Sequence, residues 1–487
     1  MSADSALTAG DLDAVIGSLL DAHGPSHTDG TFTVLDPSTG GPIAEIPRVG
    51  VAGIGRAIEA AANALPGWAA TAPRARSEIL RAAHELMLAE IEPLALLMSL
   101  EMGKTRGDAR AEVRYAAEFF RWFAEEAVRI GGELRTAPSG ANRILTVHRP
   151  VGVALLLTPW NFPAAMATRK LAPALAAGCT ALLKPAEATP LTAIYLADLL
   201  TRAGVPDGVV SVLTTDRPGE FVEHALSDAR VRKLSFTGST GVGRVLLRQA
   251  AERIVNTSLE LGGNAPFIVL EDADLDDAVE GAMFAKMRNG GQACTAANRF
   301  LVHEAVADDF AFRLAERMSA LVVGAGTDEA TQLGPMVNER RQRDIAERVD
   351  LAVASGAKIH SGGAPLDRPG FFYPATVLTQ VDRESMLSID ETFGPVAPII
   401  EISDDADAVA LANDSELGLA SYVYSGNLAR ALAVSERLQA GMVGVNRGAM
   451  SDPAAPFVGM KQSGLGREGG FEGIHEFLEV SYLAVDW

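Results

Sequence analysis

Val151–Lys184 reads VGVALLLTPWNFPAAMATRKLAPALAAGCTALLK, two short apolar runs (Val151–Leu157 and Thr180–Leu183) on either side of a stretch at 164–177 with helical length and spacing. The unit recurs downstream. Val209–Leu213 follows a helical stretch at 190–203, and Lys233–Phe236 lies between helical stretches at 218–227 and 242–252. Strands separated by helices of this length imply βαβ units in a parallel sheet, since parallel neighbours need a long crossover to return to the same edge. After Glu260-Leu261-Gly262-Gly263 the pattern restarts at Phe267–Leu270, and a second α/β series continues to about residue 445.

Upstream of the sheet, Ile79, Leu80, Ala83, Leu86 and Met87 recur at helical spacing, and similar patterns run to about Ile130. Gly131-Gly132 ends them. Residues 133–150 then read as a polar hairpin-like excursion turning at Pro138-Ser139-Gly140, and the alternating stretch 471–487 could pair with it as edge strands. A hairpin leaving the body suggests an oligomer contact. A chain of 487 residues exceeds the roughly 250–300 at which single cores stop growing. The expected class is α/β: a Rossmann-like domain from 1–130 and 151–260, an α/β domain from 261–445, a small β oligomerisation element from 131–150 and 471–487, and a loop and return at 446–470.

The 62 acidic against 42 basic residues give a formal charge of −20, which disfavours nucleic acid and anionic membranes as partners. Any anionic ligand would need local cations or backbone N–H groups. Two cysteines, Cys179 and Cys294, exclude a disulfide framework and favour a reducing compartment. The first thirty residues lack a basic region followed by an apolar stretch, so no signal peptide is expected. With no apolar run of spanning length, a cytoplasmic location is the expectation.

Four places could carry chemistry. Cys294 lies in Asn289-Gly-Gly-Gln-Ala-Cys294-Thr, a run of small residues that lets a ligand approach the backbone, although an isolated cysteine is more often buried and structural. Cys179, inside an apolar strand and next to Gly178, keeps that structural reading. Glu260 ends an apolar strand before Leu-Gly-Gly; a partly buried carboxyl there can act as a general base, and a solvated turn residue is the alternative. Phe236–Gly243 (FTGSTGVG) joins a strand to a helix in the manner of a phosphate-binding turn, without the usual dinucleotide fingerprint. Lys184-Pro-Ala-Glu187 sends a cation and a carboxylate off the end of one strand, suited to ribose or phosphate, or else to a surface ion pair.

Taken together, Thr158–Pro163 (TPWNFP), Lys184–Glu187 (KPAE), Phe236–Thr240 (FTGST), Glu260–Gly263 (ELGG), Gly291–Cys294 (GQAC), Glu391–Pro395 (ETFGP) and Pro456-Phe457 resemble, in order, the motifs of the aldehyde dehydrogenase superfamily. The resemblance runs from about residue 31 to the C-terminus. It implies a nucleophile at Cys294, a base at Glu260 that activates the hydrolytic water, and an oxyanion contact from Asn161. It also implies cofactor contacts at Trp160, Lys184, Glu187, Gly238, Ser239, Leu261, Glu391 and Phe393, with NAD expected and NADP as the weaker alternative, and no metal. A homodimer or homotetramer is expected by the same resemblance.

Within the superfamily, Trp160–Lys170, Arg288–Cys294 and Lys461–Gly469 are similar to succinate-semialdehyde dehydrogenases, which implies that Arg169, Arg288 and Ser451 bind a distal carboxylate on a small aldehyde. Ala296 stands where many of these enzymes carry a second Cys, Val458 replaces a usual Gly, and residues 446–455 depart from the pattern. Glutarate semialdehyde or another small aldehyde is the rival substrate. Acyl transfer to coenzyme A, cofactor-free thioester hydrolysis and a non-enzymatic binding role are disfavoured by Glu260, by the cofactor motifs and by the intact nucleophile, respectively.

Overall fold

The computed structural model describes residues 9–24 and 27–486. The outer limits 1 and 487 of the expected domain ranges, and part of the stretch read as lacking a signal peptide, lie outside the described residues.

Val153–Leu157 is buried at every position, as a strand covered on both faces must be. It pairs in parallel with Thr180–Lys184 on one side and Val231–Thr237 on the other. Its alternate side chains enter opposite cores. Ala154 and Leu156 pack with Leu171, Leu175 and Leu196 from the helices Pro163–Ala177 and Pro190–Ala203. Val153, Leu155 and Leu157 pack with Ile54, Ile58 and Phe221 from the helices Val51–Ala70 and Pro218–Ser227.

Along the chain, this strand is followed by Thr180–Lys184 and Val210–Val212 to one side, and then by Val231–Thr237 and Asn256–Glu260 to the other. The direction of sheet growth therefore reverses between Val153–Leu157 and Val231–Thr237. The loops leaving these two strands diverge and open a crevice at their carboxyl ends, where ligands sit in sheets of this kind. Gly464–Leu465 adds an antiparallel edge beside Leu259 and Glu260.

The second sheet has seven strands in the spatial order 358–361, 376–379, 396–402, 297–303, 265–269, 420–424 and 442–445. All neighbours are parallel except the first pair. Phe267, Phe300 and Val377 face one core, while Ile268, Leu301 and Leu378 face the other. In the third sheet, Leu478–Val485 pairs antiparallel with the whole of Arg143–Pro150, and Leu134–Thr136 completes it. Leu134, Val480 and Tyr482 on these strands are exposed. An N-terminal hairpin, Thr28–Leu35 against Pro42–Val49, is absent from the sequence reading, because only Phe32 and Val34 of its first strand point inward. Among the described residues no helix is long and apolar enough to cross a membrane.

One buried ion pair sets the edge of the crevice. The helix Pro163–Ala177 starts at Phe162, whose side chain cannot cap it. Glu112, on the helix Arg106–Ala127, supplies the cap: its Oε1 accepts the N–H groups of Ala164 at 2.9 Å and Ala165 at 3.1 Å. Its other oxygen pairs with Lys104, whose Nζ also donates to the Asn161 carbonyl at 2.8 Å. Both side chains are wholly buried. Glu112→Ala leaves Lys104 unpaired and two helix N–H groups orphaned, so it should cost about 3–5 kcal/mol, read as a lowered denaturation midpoint. Arg313→Ala, which breaks surface pairs to Asp309 and Asp276, should leave that midpoint almost unmoved. Equal shifts in the two variants would show that Glu112 does not hold this edge.

Candidate active site

Loops from both large sheets wall the crevice. Trp160 and Asn161 come from the end of Val153–Leu157, Gly238 and Ser239 from the end of Val231–Thr237, and Leu261 and Gly262 from just beyond Glu260. Cys294, Arg341, Glu391 and Phe393 face them across the crevice. The Trp160 and Phe393 rings meet edge to face, with centroids 5.4 Å apart.

Cys294 reaches the crevice through an unusual turn. After the helix Leu275–Met287, the residues Asn289, Gly290 and Gly291 take φ values of 57°, 60° and 74°, a left-handed run open only to glycine and, at modest cost, asparagine. A Cβ on Gly291 would lie 2.1 Å from the Gly394 carbonyl, so the turn packs backbone against backbone beside Glu391. Burial pushes the Cys294 thiol up to about 12, while the Arg169 and Arg288 cations draw it down. The resting thiol is therefore protonated at neutral pH. Cys179 is buried away from the crevice, with its thiol donating to the Phe477 carbonyl at 3.3 Å.

Asn161 is fixed from several sides. Its carbonyl accepts from Lys104 and from Asn289 Nδ2, the latter at 2.8 Å, and its own Nδ2 donates to the Gln292 carbonyl at 3.1 Å. That nitrogen carries a second N–H. Glu260 is buried, and neither carboxyl oxygen has a hydrogen-bond partner among the described residues. Burial and the nearby Glu468 carboxylate hold its pKa well above the usual range, against the pull of Lys170 and Arg169.

Arg169 lies wholly buried on the helix Pro163–Ala177, over the Phe457 ring at 4.2 Å and donating to the Tyr115 hydroxyl. Its Nη1 is 3.6 Å from Glu468 Oε2, and Nε and Nη1 make no hydrogen bond among the described residues. Arg288 is half-buried over the Phe162 ring, 5.1 Å from its centroid. Ser451 sits half-buried on the loop 446–455.

Lys184 Nζ donates to the Pro185 carbonyl at 2.8 Å and lies 3.9 Å from Glu187, whose side chain is 57% exposed. The pair leaves the strand next to Val153–Leu157, at the same end of the sheet as the crevice. Glu391 accepts the Gly263 N–H at 3.2 Å, and burial pushes its carboxyl up to about 7. At Gly262 any Cβ would come within 2.8 Å of Glu391 Oε2.

Sequence reasoning missed several neighbours. Lys170 is buried, ion-paired with Glu468 and donating to Ser235 Oγ at 3.0 Å. Two consecutive cations in the apolar run Ala164–Ala177 were the available signal. Arg341, at the start of the helix Glu339–Ala354, carried no motif. The described residues contain no cluster of metal-ligating side chains.

A profile of the aldehyde dehydrogenase family matches residues 25–483. The chain is 54% identical over 429 residues to a succinate-semialdehyde dehydrogenase of Paenarthrobacter nicotinovorans, covering 88% of this chain and 95% of that one. It is 46% identical over 469 residues to the NADP(+) succinate-semialdehyde dehydrogenase of Escherichia coli, covering 96% of each. The crystal structure of succinate-semialdehyde dehydrogenase from Burkholderia pseudomallei superposes with a TM-score of 0.93 at 46% identity, over 95% of this chain and 97% of that one. With Cys294 and the Glu391 carboxyl lining one crevice, and with matches spanning nearly the whole chain, this protein belongs to the aldehyde dehydrogenase family.

Proposed function

We propose that the protein oxidises succinate semialdehyde to succinate, with NAD as its preferred oxidant, through a thioester on Cys294. The observation that carries this reading is the pair of cations at the nucleophile. Arg169 is a buried guanidinium whose Nε and Nη1 make no hydrogen bond among the described residues, Nη1 having only the 3.6 Å ion contact with Glu468, and both Arg169 and Arg288 act electrostatically on the Cys294 thiol. Unpaired buried donors are costly unless a ligand uses them. A carboxylate borne by the aldehyde would meet them by a bidentate fork.

The residues divide the chemistry as follows. The Cys294 thiol gives up its proton to solvent water, and the thiolate sulfur attacks the aldehyde carbon. The second N–H of Asn161 Nδ2 and the Cys294 backbone N–H stabilise the oxyanion that forms. Hydride loss from that carbon would leave the thioester on Cys294, and a bound nicotinamide would supply the acceptor for that hydride. Glu260, its carboxyl raised by burial, then takes a proton from water; the resulting hydroxide attacks the thioester carbonyl, expels the Cys294 thiolate and yields the acid.

The crevice suits a dinucleotide. Ser239 caps the helix Thr240–Ala251, the first N–H groups of that helix are available to a pyrophosphate, and the Thr237 hydroxyl is buried without a partner. Trp160, Leu261 and Phe393 supply apolar walls for the nicotinamide, and Glu391 an acceptor for its ribose. Lys184 and Glu187 would hold the adenosine ribose. The exposed Glu187 carboxylate accepts ribose hydroxyls and repels a 2′-phosphate, which favours NAD. Half-buried Ser451 would complete the carboxylate site.

Three experiments test this reading. Glu260→Gln should release about one NADH per active site in a burst and then stall, whereas Cys294→Ala should release none; near-normal turnover by Glu260→Gln would remove Glu260 from the deacylation step. NAD should outperform NADP in kcat/KM by at least tenfold, and Glu187→Ser should shrink that ratio. Equal use of both cofactors by the wild type would defeat the preference. Arg169→Ala and Arg288→Ala should each lower kcat/KM for succinate semialdehyde at least tenfold while leaving butanal within about threefold, because only the first aldehyde carries a carboxylate. Equal losses on both would mean that the arginines support the fold and do not read the substrate.

A further inference from the structure

Behind the loop that bears Glu391 lies a lysine without an ionic partner. Lys286 closes the helix Leu275–Met287 and is wholly buried, and no carboxylate among the described residues lies within hydrogen-bonding distance of its amine. Nζ donates to Asn298 Oδ1 at 3.0 Å and to the Thr392 carbonyl at 3.4 Å. Asn298, on the strand Ala297–His303, passes the connection on, its Nδ2 donating to the Gly263 carbonyl at 3.4 Å. Gly263 in turn donates its N–H to the Glu391 carboxylate at 3.2 Å. Through the peptide joining Glu391 to Thr392, these contacts close a ring with Lys286 on one side and Glu391 on the other.

A lysine without an ion partner is an expensive way to fill a core, and an apolar side chain of similar size would do so at lower cost. Its distinguishing contribution is a charge delivered to the carbonyl one residue beyond Glu391. We infer that Lys286 is a positioning residue for cofactor binding, holding the Glu391–Phe393 loop in place and acting as the buried counter-charge that keeps Glu391 an ionised acceptor. This rests on Glu391 being a cofactor contact, as proposed above.

The surrounding charges are few. Glu391 is faced by Arg341 and Arg348 from the helix Glu339–Ala354, by Lys286, and by the Cys294 thiol, whereas among the described residues Glu391 is the charge that acts on Lys286. Burial pushes the Glu391 carboxyl up to about 7 and the Lys286 amine down to about 7, so the two titrate together near neutrality. A carboxylate accepts two ribose hydroxyls better than a protonated carboxyl does. Cofactor affinity should therefore rise with pH through neutrality. Removing the Lys286 charge leaves Glu391 harder to ionise and moves that rise to higher pH.

The test is NADH binding to the purified full-length enzyme, followed by nicotinamide fluorescence from pH 5.5 to 9, with NADPH in parallel. Lys286→Met should weaken NADH about fivefold at pH 7 and displace the midpoint upward, with affinity recovering above pH 8. Lys286→Gln keeps groups able to bond Asn298 and Thr392 but carries no charge, so it should show the same displacement. A wild-type profile in Lys286→Gln would mean that the lysine is only a hydrogen-bonding strut, and the inference would fail. Glu391→Gln should bind weakly with a flat profile, and adding Lys286→Met to it should change nothing further. If Glu391→Gln bound NADH as the wild type does, the role proposed for Glu391 would fall. If Glu391→Gln weakened binding while Lys286→Met left affinity and midpoint unmoved, only the role of Lys286 would fall.

Discussion

The structure turns on the pairing of Val153–Leu157 with Val231–Thr237, two strands far apart in sequence whose ladder brings Leu157 opposite Phe236. Their residues are buried almost throughout, so the register is held by packing on both faces. Because the chain continues from these strands in opposite directions across the sheet, neither following loop can cover the gap at their ends. Asn161 and Gly238 stand on opposite sides of that gap, and the second sheet needs only to bring Cys294 over its mouth. The left-handed turn at Asn289–Gly291 does this, and its packing against Gly394 ties Cys294 and Glu391 to one rigid contact.

Charge is distributed in two registers. The surface is strongly acidic, with a net charge of −20, yet the interior near the crevice is stocked with cations: Lys104, Arg169, Lys170 and Lys286 are all buried. Two of them, Lys104 and Lys170, are matched to buried carboxylates and fix backbone or the Glu260 neighbourhood. Arg169 and Lys286 are less completely matched; the first is itself proposed to read the substrate, and the second lies behind the loop proposed to hold the cofactor. Burying such charges is costly, which separates them from surface pairs such as Arg313–Asp309, where solvent screens most of the interaction.

The sequence made the central strands readable because burial on both faces leaves continuous apolar runs, and it made Cys294 and Glu260 readable because glycines crowd around both. It could not reveal pairings that depend on distant segments. Lys170 and Glu468 are 298 positions apart, and each alone reads as an ordinary charged residue. Gly464–Leu465 is too short to show any alternation, although it flanks Glu260. The hairpin at Thr28–Val49 was hidden by its mostly exposed first strand. Arg169 and Arg288 were singled out through family likeness; the unspent donors of Arg169 became visible only once its aromatic surroundings were in place.

The segment from Gly464 to Val485 is made after everything else that forms the crevice, yet it supplies the strand beside Glu260, the Glu468 carboxylate and the last strand of the third sheet. Glu260 therefore acquires its buried setting only when this segment packs beside it, whereas Cys294 is placed by the turn at Asn289–Gly291. A lesion confined to Gly464–Val485 would disturb the surroundings of Glu260 without touching the turn that carries Cys294.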